Sequence, residues 1–343
     1  MNCKLIVESI KNERTLLLDI CDFFQIDNKR ISFGSDTSHS ESDIRINFYV
    51  NEDWVIKINS KNELTQNHFV EVSKVIENYN RSGIYAPRYL NAPNGNYLYE
   101  FNFGEIEFIA WIEEFAPYEV SNFNDYSDEI KIEVLKKNAR YMSINSNRDL
   151  MSRWSMWSII ELPDWEDEID EKQQNYHLLR EELLSIKQSN LIYRLDEINQ
   201  TCRNKIKEAL PHLRKCSIQG DLNATNILVN KNEFMGLIDF NMSGKEVNIN
   251  NILNETRYGL LMSDFDNLTA KEIFKKMTDY RNHLLDYIFK FYDLDNVEKS
   301  VWDAYQKIID LFLWPNVSLW IYLIKQNTHV DKVIELITLI VER

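Results

Sequence analysis

The sequence predicts an α+β chain of two lobes, with an antiparallel sheet in residues 1–115 and a mostly helical region in residues 116–343. Three observations predict it. Between Arg30 and Phe115, apolar residues fall in strand-length runs separated by turn signals such as Asn51-Glu52-Asp53 and Pro93-Asn94-Gly95. After Pro117 they recur at helical spacing over much longer segments. Inside that helical region, Ser217 to Gly244 reverts to two short strands carrying Asp221, Asn226 and Asp239.

Composition limits what such a chain can be. Its 343 residues are enough for two lobes with a sizeable core, and 44% hydrophobic content argues against disorder. Only 8 glycines and 6 prolines fit a helix-rich protein with few long loops. The formal charge of −15 disfavours a nucleic-acid partner, whose phosphates need Lys and Arg, while it is compatible with a cationic ligand. The most apolar stretch, Leu311 to Ile324, is too short for a bilayer and is broken by Pro315, Asn316 and Ser318, so no membrane partner is expected. The N-terminus carries charges where a signal peptide needs an apolar run, which points to a cytoplasmic protein. Cys3, Cys21, Cys202 and Cys216 lack metal-ligand spacing and read as reduced structural thiols. The six histidines are scattered, and none is assigned a role.

Taken in order, Leu5 to Ile26 has apolar residues at helical spacing and predicts an amphipathic, broken helix. Arg30–Phe33, Ile44–Val50 and Trp54–Ile58 read as strands, with Gly34 to Ser40 as the loop between the first two. Glu63 to Arg81 places Phe69, Val72, Ile76 and Tyr79 on one helical face. Arg88–Ala92, Asn96–Phe101 and Glu105–Phe115 complete an expected antiparallel sheet with one helix. Tyr126–Ile144, Glu168–Ile186 and Leu191–Leu210 are the next helices. The run Pro163 to Glu171 concentrates six acids and reads foremost as a helix start, because Pro and acids suit the first turn; an electrostatic trap for an amine is the alternative. Thr225–Val229 and Phe234–Phe240 are strands joined at Lys231-Asn232-Glu233, a hairpin that returns Asp239 towards Asn226. Lys245 to Tyr258 reads as an ordered connection, and Ala270–Tyr292, Val297–Leu313 and Val330–Val341 as helices. Trp302, Trp314 and Trp320 in this last region read as core.

The chemistry concentrates in the hairpin segment. Phosphoryl transfer from a nucleotide needs a residue to orient the attacking hydroxyl and oxygen ligands to hold Mg²⁺ on the phosphates. Asp221 suits the first task and Asn226 and Asp239 the second. The sequence QGDLNATN followed by GLIDFN resembles the HGDxxxxN and IDF motifs of the aminoglycoside phosphotransferase (kinase-like) family. Two positions depart from the pattern: Gln219 stands where the family has His, and Asn241 where protein kinases have Gly. Gln can both donate and accept hydrogen bonds, and so can stand in for a supporting His.

The resemblance implies a two-lobed protein-kinase-like fold and a Mg²⁺-dependent O-phosphotransferase. Its donor is ATP or GTP. Its acceptor is a hydroxyl of a small molecule such as an aminoglycoside, another amino sugar or an amino alcohol, and a cationic acceptor is compatible with the charge. Asp221 is then the catalytic base, and Asn226 and Asp239 are the metal ligands. Lys57 lies in Val-Ile-Lys-Ile, which is similar to the kinase strand motif whose Lys holds the α and β phosphates and pairs with a helix Glu. Glu71 is the candidate partner, with Glu63 and Glu77 as competitors. Ser38 lies in a glycine-poor loop in the place of a nucleotide cover; a plain flexible hairpin loop is the alternative. Glu113 to Ala116, including Phe115, would be the hinge that reads an adenine edge. A catalytically weak pseudokinase that binds nucleotide or a protein partner is the second reading, drawn from Gln219, Asn241 and the missing glycine loop. The sequence leaves the oligomeric state open.

Overall fold

In the computed structural model, residues 3–40, 42–61, 64–122, 126–148, 151–163 and 168–343 are described. They divide into two compact units: Met1–Phe123 with Asn223–Asn241, and Asn124–Leu222 with Met242–Arg343. The first unit therefore runs past residue 115 and also takes in the hairpin after Asp221.

Five strands form the sheet of the first unit: β1 (Ile31–Asp36), β2 (Arg45–Val50), β3 (Trp54–Ser60), β4 (Tyr99–Phe103) and β5 (Ile106–Glu114). They run antiparallel in the order β1-β2-β3-β5-β4. Arg88 to Ala92, expected as a strand, contributes only an isolated bridge at Tyr89. The continuous apolar run in β5 reflects burial on both faces. Phe108, Ala110 and Ile112 pack with Ile46, Phe48, Ile56 and Ile58 against α1 (Cys3–Asn12) and α2 (Arg14–Phe24), whereas the intervening Ile109 and Trp111 pack with Phe69 of α3 (Gln66–Arg81). The predicted N-terminal helix is indeed broken, at Glu13. Thr65 caps α3 through its side chain, accepting the His68 amide.

A second sheet in this unit joins β6 (Glu119–Val120), β8 (Ile227–Asn230) and β9 (Glu233–Leu237). The β8–β9 turn places Lys231 and Asn232 at φ +48° and +66°, as a two-residue hairpin loop requires. Gly236 lies against Tyr85, and the Phe240 ring sits 5.4 Å from that of Tyr79 near the end of α3. Those contacts fix the hairpin to the first unit.

The second unit is mostly helical: α4 (Asp128–Asn145), α5 (Glu171–Ser185), α6 (Ser189–Ala209), α7 (Asn248–Glu255), α8 (Met262–Asn267), α9 (Ala270–Ile288), α10 (Asn296–Phe312), α11 (Trp314–Lys325) and α12 (Val330–Glu342). One strand pair, β7 (Lys215–Ile218) with β10 (Gly244–Val247), interrupts them. The core gathers Leu179, Leu195, Ile249, Ile273, Ile308, Trp320 and Ile337. Trp320 is fully buried there, whereas Trp314 is exposed, contrary to its reading as core. The Pro315 that breaks the apolar stretch marks the first turn of α11, where a missing N–H does no harm. Among the described residues no single helix is long and apolar enough to cross a membrane.

Residues 164–167 of the acidic run lie outside the described residues. Asp170, at its end, caps α5 by accepting the Gln173 amide and is gripped by Arg203 at 2.6 and 2.8 Å. Burial would raise its pKa, but Arg203 outweighs that and holds the carboxyl below its ordinary value. This is the helix-start role.

Candidate functional site

Sheet register brings the first group of side chains together. Lys57 on β3 pairs with Trp111 on β5, so Glu113, two residues further on, shares its face. The Lys57 Nζ atom lies 3.0 Å from Glu113 Oε1, which also accepts the Trp111 indole N–H at 2.9 Å. Both members are largely buried. Burial alone would depress the lysine, but Glu113 and the charge of Asp239 together hold its pKa above the ordinary value. The ammonium is thus retained, faced by two carboxylates of one unit.

Asp239 and Asn226 mark the open end of the β8–β9 hairpin. The last paired residues are Ile227 and Leu237, and the Ile238 amide then donates to the Asn226 carbonyl at 3.0 Å. The expected strands are trimmed at this end: Ala224–Asn226 is a 3₁₀ turn and β9 stops at Leu237. Asp239 follows with φ +58°, a left-handed backbone rare for non-glycine residues and recurrent at functional sites. One amide oxygen and one carboxylate at one hairpin end form a hard-oxygen donor pair. That set fits Mg²⁺, which takes one or two protein oxygens and fills its shell with phosphate and water.

The second unit carries Asp221 on the turn that follows β7. Gln219 is fully buried, and its Oε1 accepts the Asp221 amide at 2.7 Å, so the side chain two residues before Asp221 props the turn it precedes. Glu255, in the last turn of α7, is a second carboxyl in this neighbourhood. Burial raises its pKa; Arg257 and Lys131 pull it back, and the charge of Asp221 pushes it up again, with a net rise. An acid at the negative end of a helix is unfavourable in its own right.

The other predicted residues are placed as follows. The loop between β1 and β2 begins at Thr37, because Gly34, Ser35 and Asp36 belong to β1. Ser38 donates its amide to Asp36 Oδ1 and accepts the Arg45 amide on its hydroxyl, so both groups serve the loop itself. At the expected hinge, the amides of Glu114 and Phe115 are donated to the carbonyls of Arg88 and Asp53, and the Phe115 ring meets Tyr49 edge-on. Glu113 acts through its side chain, on Lys57. Glu71 is half-buried on α3, Glu77 pairs with Arg81 and Arg88, and Glu63 lies outside the described residues. One carboxylate on Lys57 is thus the cross-strand neighbour Glu113, a relation set by register and invisible to helical phase. Glu255 was missed because its segment read as a connection.

No family model matches the chain, and no curated protein matches it in sequence. Solved structures do match it in fold. The amicoumacin kinase hAmiN, in complex with AMP-PNP, Ca²⁺ and Ami, aligns with a TM-score of 0.55 at 12% identity, over 98% of this chain and 95% of that one. A microcompartment-associated aminopropanol kinase aligns with a TM-score of 0.54 at 12% identity, over 96% of this chain and 95% of that one. The chain has the kinase-like fold: an antiparallel sheet in its N-terminal part and a mostly helical C-terminal part.

Proposed function

We propose that this protein is a Mg²⁺-dependent phosphotransferase that moves the γ-phosphate of ATP or GTP to a hydroxyl of a small amine-bearing molecule. The observation that carries this reading is the grouping, within one unit, of a buried Lys57 ammonium, the Asp239 charge acting on it, and Asn226 at the same hairpin end as Asp239. A buried lysine held charged by carboxylates is poised for phosphate oxygens, and the hairpin end offers the metal donors such a substrate brings into use. Likeness in fold to two small-molecule kinases supports the same reading.

In this scheme Lys57 holds the α and β phosphates, and Glu113 keeps its side chain extended in one direction. Asn226 and Asp239 supply oxygen ligands to Mg²⁺, which when bound offsets the phosphate charge. Asp221 orients the acceptor hydroxyl and takes its proton as the oxygen bonds to the γ-phosphorus and the bond to the β-phosphate oxygen breaks, leaving nucleoside diphosphate. Ser38 and Phe115 are carried as lesser nucleotide contacts, and Glu71 as a further carboxylate for Lys57 beside Glu113. Glu255 is the carboxyl we assign to an amine on the acceptor: burial raises its pKa against the pull of Arg257 and Lys131, Asp221 adds to the rise, and a further ammonium would favour the charged form. Of the three features behind the pseudokinase reading, Gln219, Asn241 and the missing glycine loop, the first has its side chain engaged in supporting Asp221.

Thermal shift with ATP and GTP, with and without Mg²⁺, is the first test: metal-dependent stabilisation is expected, and no response to either nucleotide counts against the reading. Phosphate transfer across a panel of hydroxylated amines follows. Asp239→Ala should abolish turnover, and Asp221→Asn should lower kcat by about 10²–10⁴ while sparing nucleotide binding. Full turnover in Asp221→Asn would remove the base assignment. Glu255→Gln should raise KM about tenfold for an amine acceptor and leave that of its N-acetylated analogue unchanged.

A further inference from the structure

The peptide group joining Gly220 to Asp221 is gripped at both ends by side chains. Its carbonyl oxygen accepts from Trp157 Nε1 at 2.6 Å, and its N–H donates to Gln219 Oε1 at 2.7 Å. Gly220 itself stands at φ +93°, and a Cβ there would meet the Met242 carbonyl oxygen at 2.1 Å. The close approach requires glycine. Glycine in turn leaves the following peptide little steric resistance to rotation about the axis between the two Cα atoms. Such a flip turns the carbonyl and the N–H together and breaks both side-chain bonds at once.

Trp157 is a built position. Its main-chain carbonyl accepts from Lys172 Nζ at 3.0 Å and from Asn250 Nδ2 at 2.7 Å, and its ring centroid lies 5.2 Å from the same ammonium. Lys172 is fully buried and pairs with Glu171 at 2.9 Å. On one side, Ser155 and Arg153 bond to the main chain of Lys245 on β10. On the other, Ile160 sits at φ +81°, a genuine outlier for a β-branched residue, and donates its amide to the Asp170 carboxylate that Arg203 grips. A buried ammonium and a strained backbone are both unfavourable, and both lie within a short stretch around one indole.

We infer that Trp157 is a positioning residue for Asp221: with Gln219 it clamps the Gly220–Asp221 peptide in one orientation and so fixes where the carboxylate points. The catalytic consequence rests on the proposed phosphotransferase reading, whereas the clamp can be read without any substrate. Trp157→Phe keeps an aromatic ring beside Lys172 while removing the N–H donor along with part of the indole; Gln219→Leu frees the other end of the same peptide. Each should speed hydrogen exchange at the Asp221 amide about tenfold, the effect of one net hydrogen bond. Exchange at the Lys245 amide, bonded to Arg153, should stay at the wild-type rate. With an acceptor in hand, each variant should lose about tenfold in kcat with nucleotide affinity and KM unchanged, and the double variant should be little worse than the poorer single one, since either break frees the same group. Wild-type exchange at Asp221 in folded Trp157→Phe overturns the clamp whatever the activity. Should Trp157→Phe fail to fold, wild-type exchange in Gln219→Leu does the same. Faster exchange in a protein that transfers no phosphate leaves the clamp standing and removes the kinase reading instead.

Discussion

At the scale of the residue, Lys57 is a buried, tightly held ionisable group of the first unit. It is held by Glu113 at 3.0 Å, and its own pKa lies above the ordinary 10.5 because the carboxylates outweigh burial. A raised lysine pKa contributes stability that is complete below pH 10.5 and is lost as pH rises through the folded value. Lys57→Met should therefore act twice. It removes the proposed phosphate ligand, and it leaves Glu113 buried beside Trp111 without its counter-charge, a loss of about 3 kcal/mol. Urea unfolding at pH 8 would measure the second effect and nucleotide titration the first. Wild-type stability in Lys57→Met would show that the pair is not a structural contact. The sequence singled out Lys57 through the strand around it; its partner depended on which residue of β5 lies opposite, and no local pattern carries that.

At the scale of the element, the β8–β9 hairpin is the part on which the proposed metal ligands depend. It was legible almost whole, because two short apolar runs with a tight turn leave few alternatives. Less legible was what holds it. Gly236 lies so close to Tyr85 that a Cβ would meet its carbonyl oxygen at 2.1 Å. The contact admits only glycine, since backbone cannot move aside as a flexible side chain can. Gly236→Ala should destabilise the first unit by about 2–3 kcal/mol and weaken metal-dependent nucleotide binding, because the hairpin must shift to relieve the clash. Denaturant midpoints together with the thermal shift would check both. Helix α7 shows the opposite case. Its asparagine-rich sequence has low helix propensity, yet tertiary context makes Asn248–Glu255 helical and places Glu255 at its end.

At the scale of the molecule, global stability should carry a neutral-pH dependence from Glu246 on β10. Burial pushes this carboxyl from 4.5 to about 7, opposed by the Val247 amide and the charge of Lys172. The folded state then binds a proton more tightly than the unfolded one. Stability is complete below about pH 4.5 and falls as pH rises through 7, by about 3 kcal/mol in all. Glu246→Gln should flatten the unfolding free energy between pH 5 and pH 8, and an unchanged slope would show that the group does not titrate there.

Composition, strand-length runs and helical periodicity determined the class of this protein and the sheet-then-helix order, and motif spacing marked Asp221, Asn226 and Asp239 as its chemically suggestive residues. These features are local, written within a few turns or one hairpin. Tertiary structure alone decided that Glu113 meets Lys57, that Gln219 supports Asp221, that Gly236 lies against Tyr85, and that Trp157 reaches the Gly220 carbonyl. Each joins a side chain or backbone group to one brought near by strand register, close packing or a tight turn, and spacing along a chain does not encode such proximity.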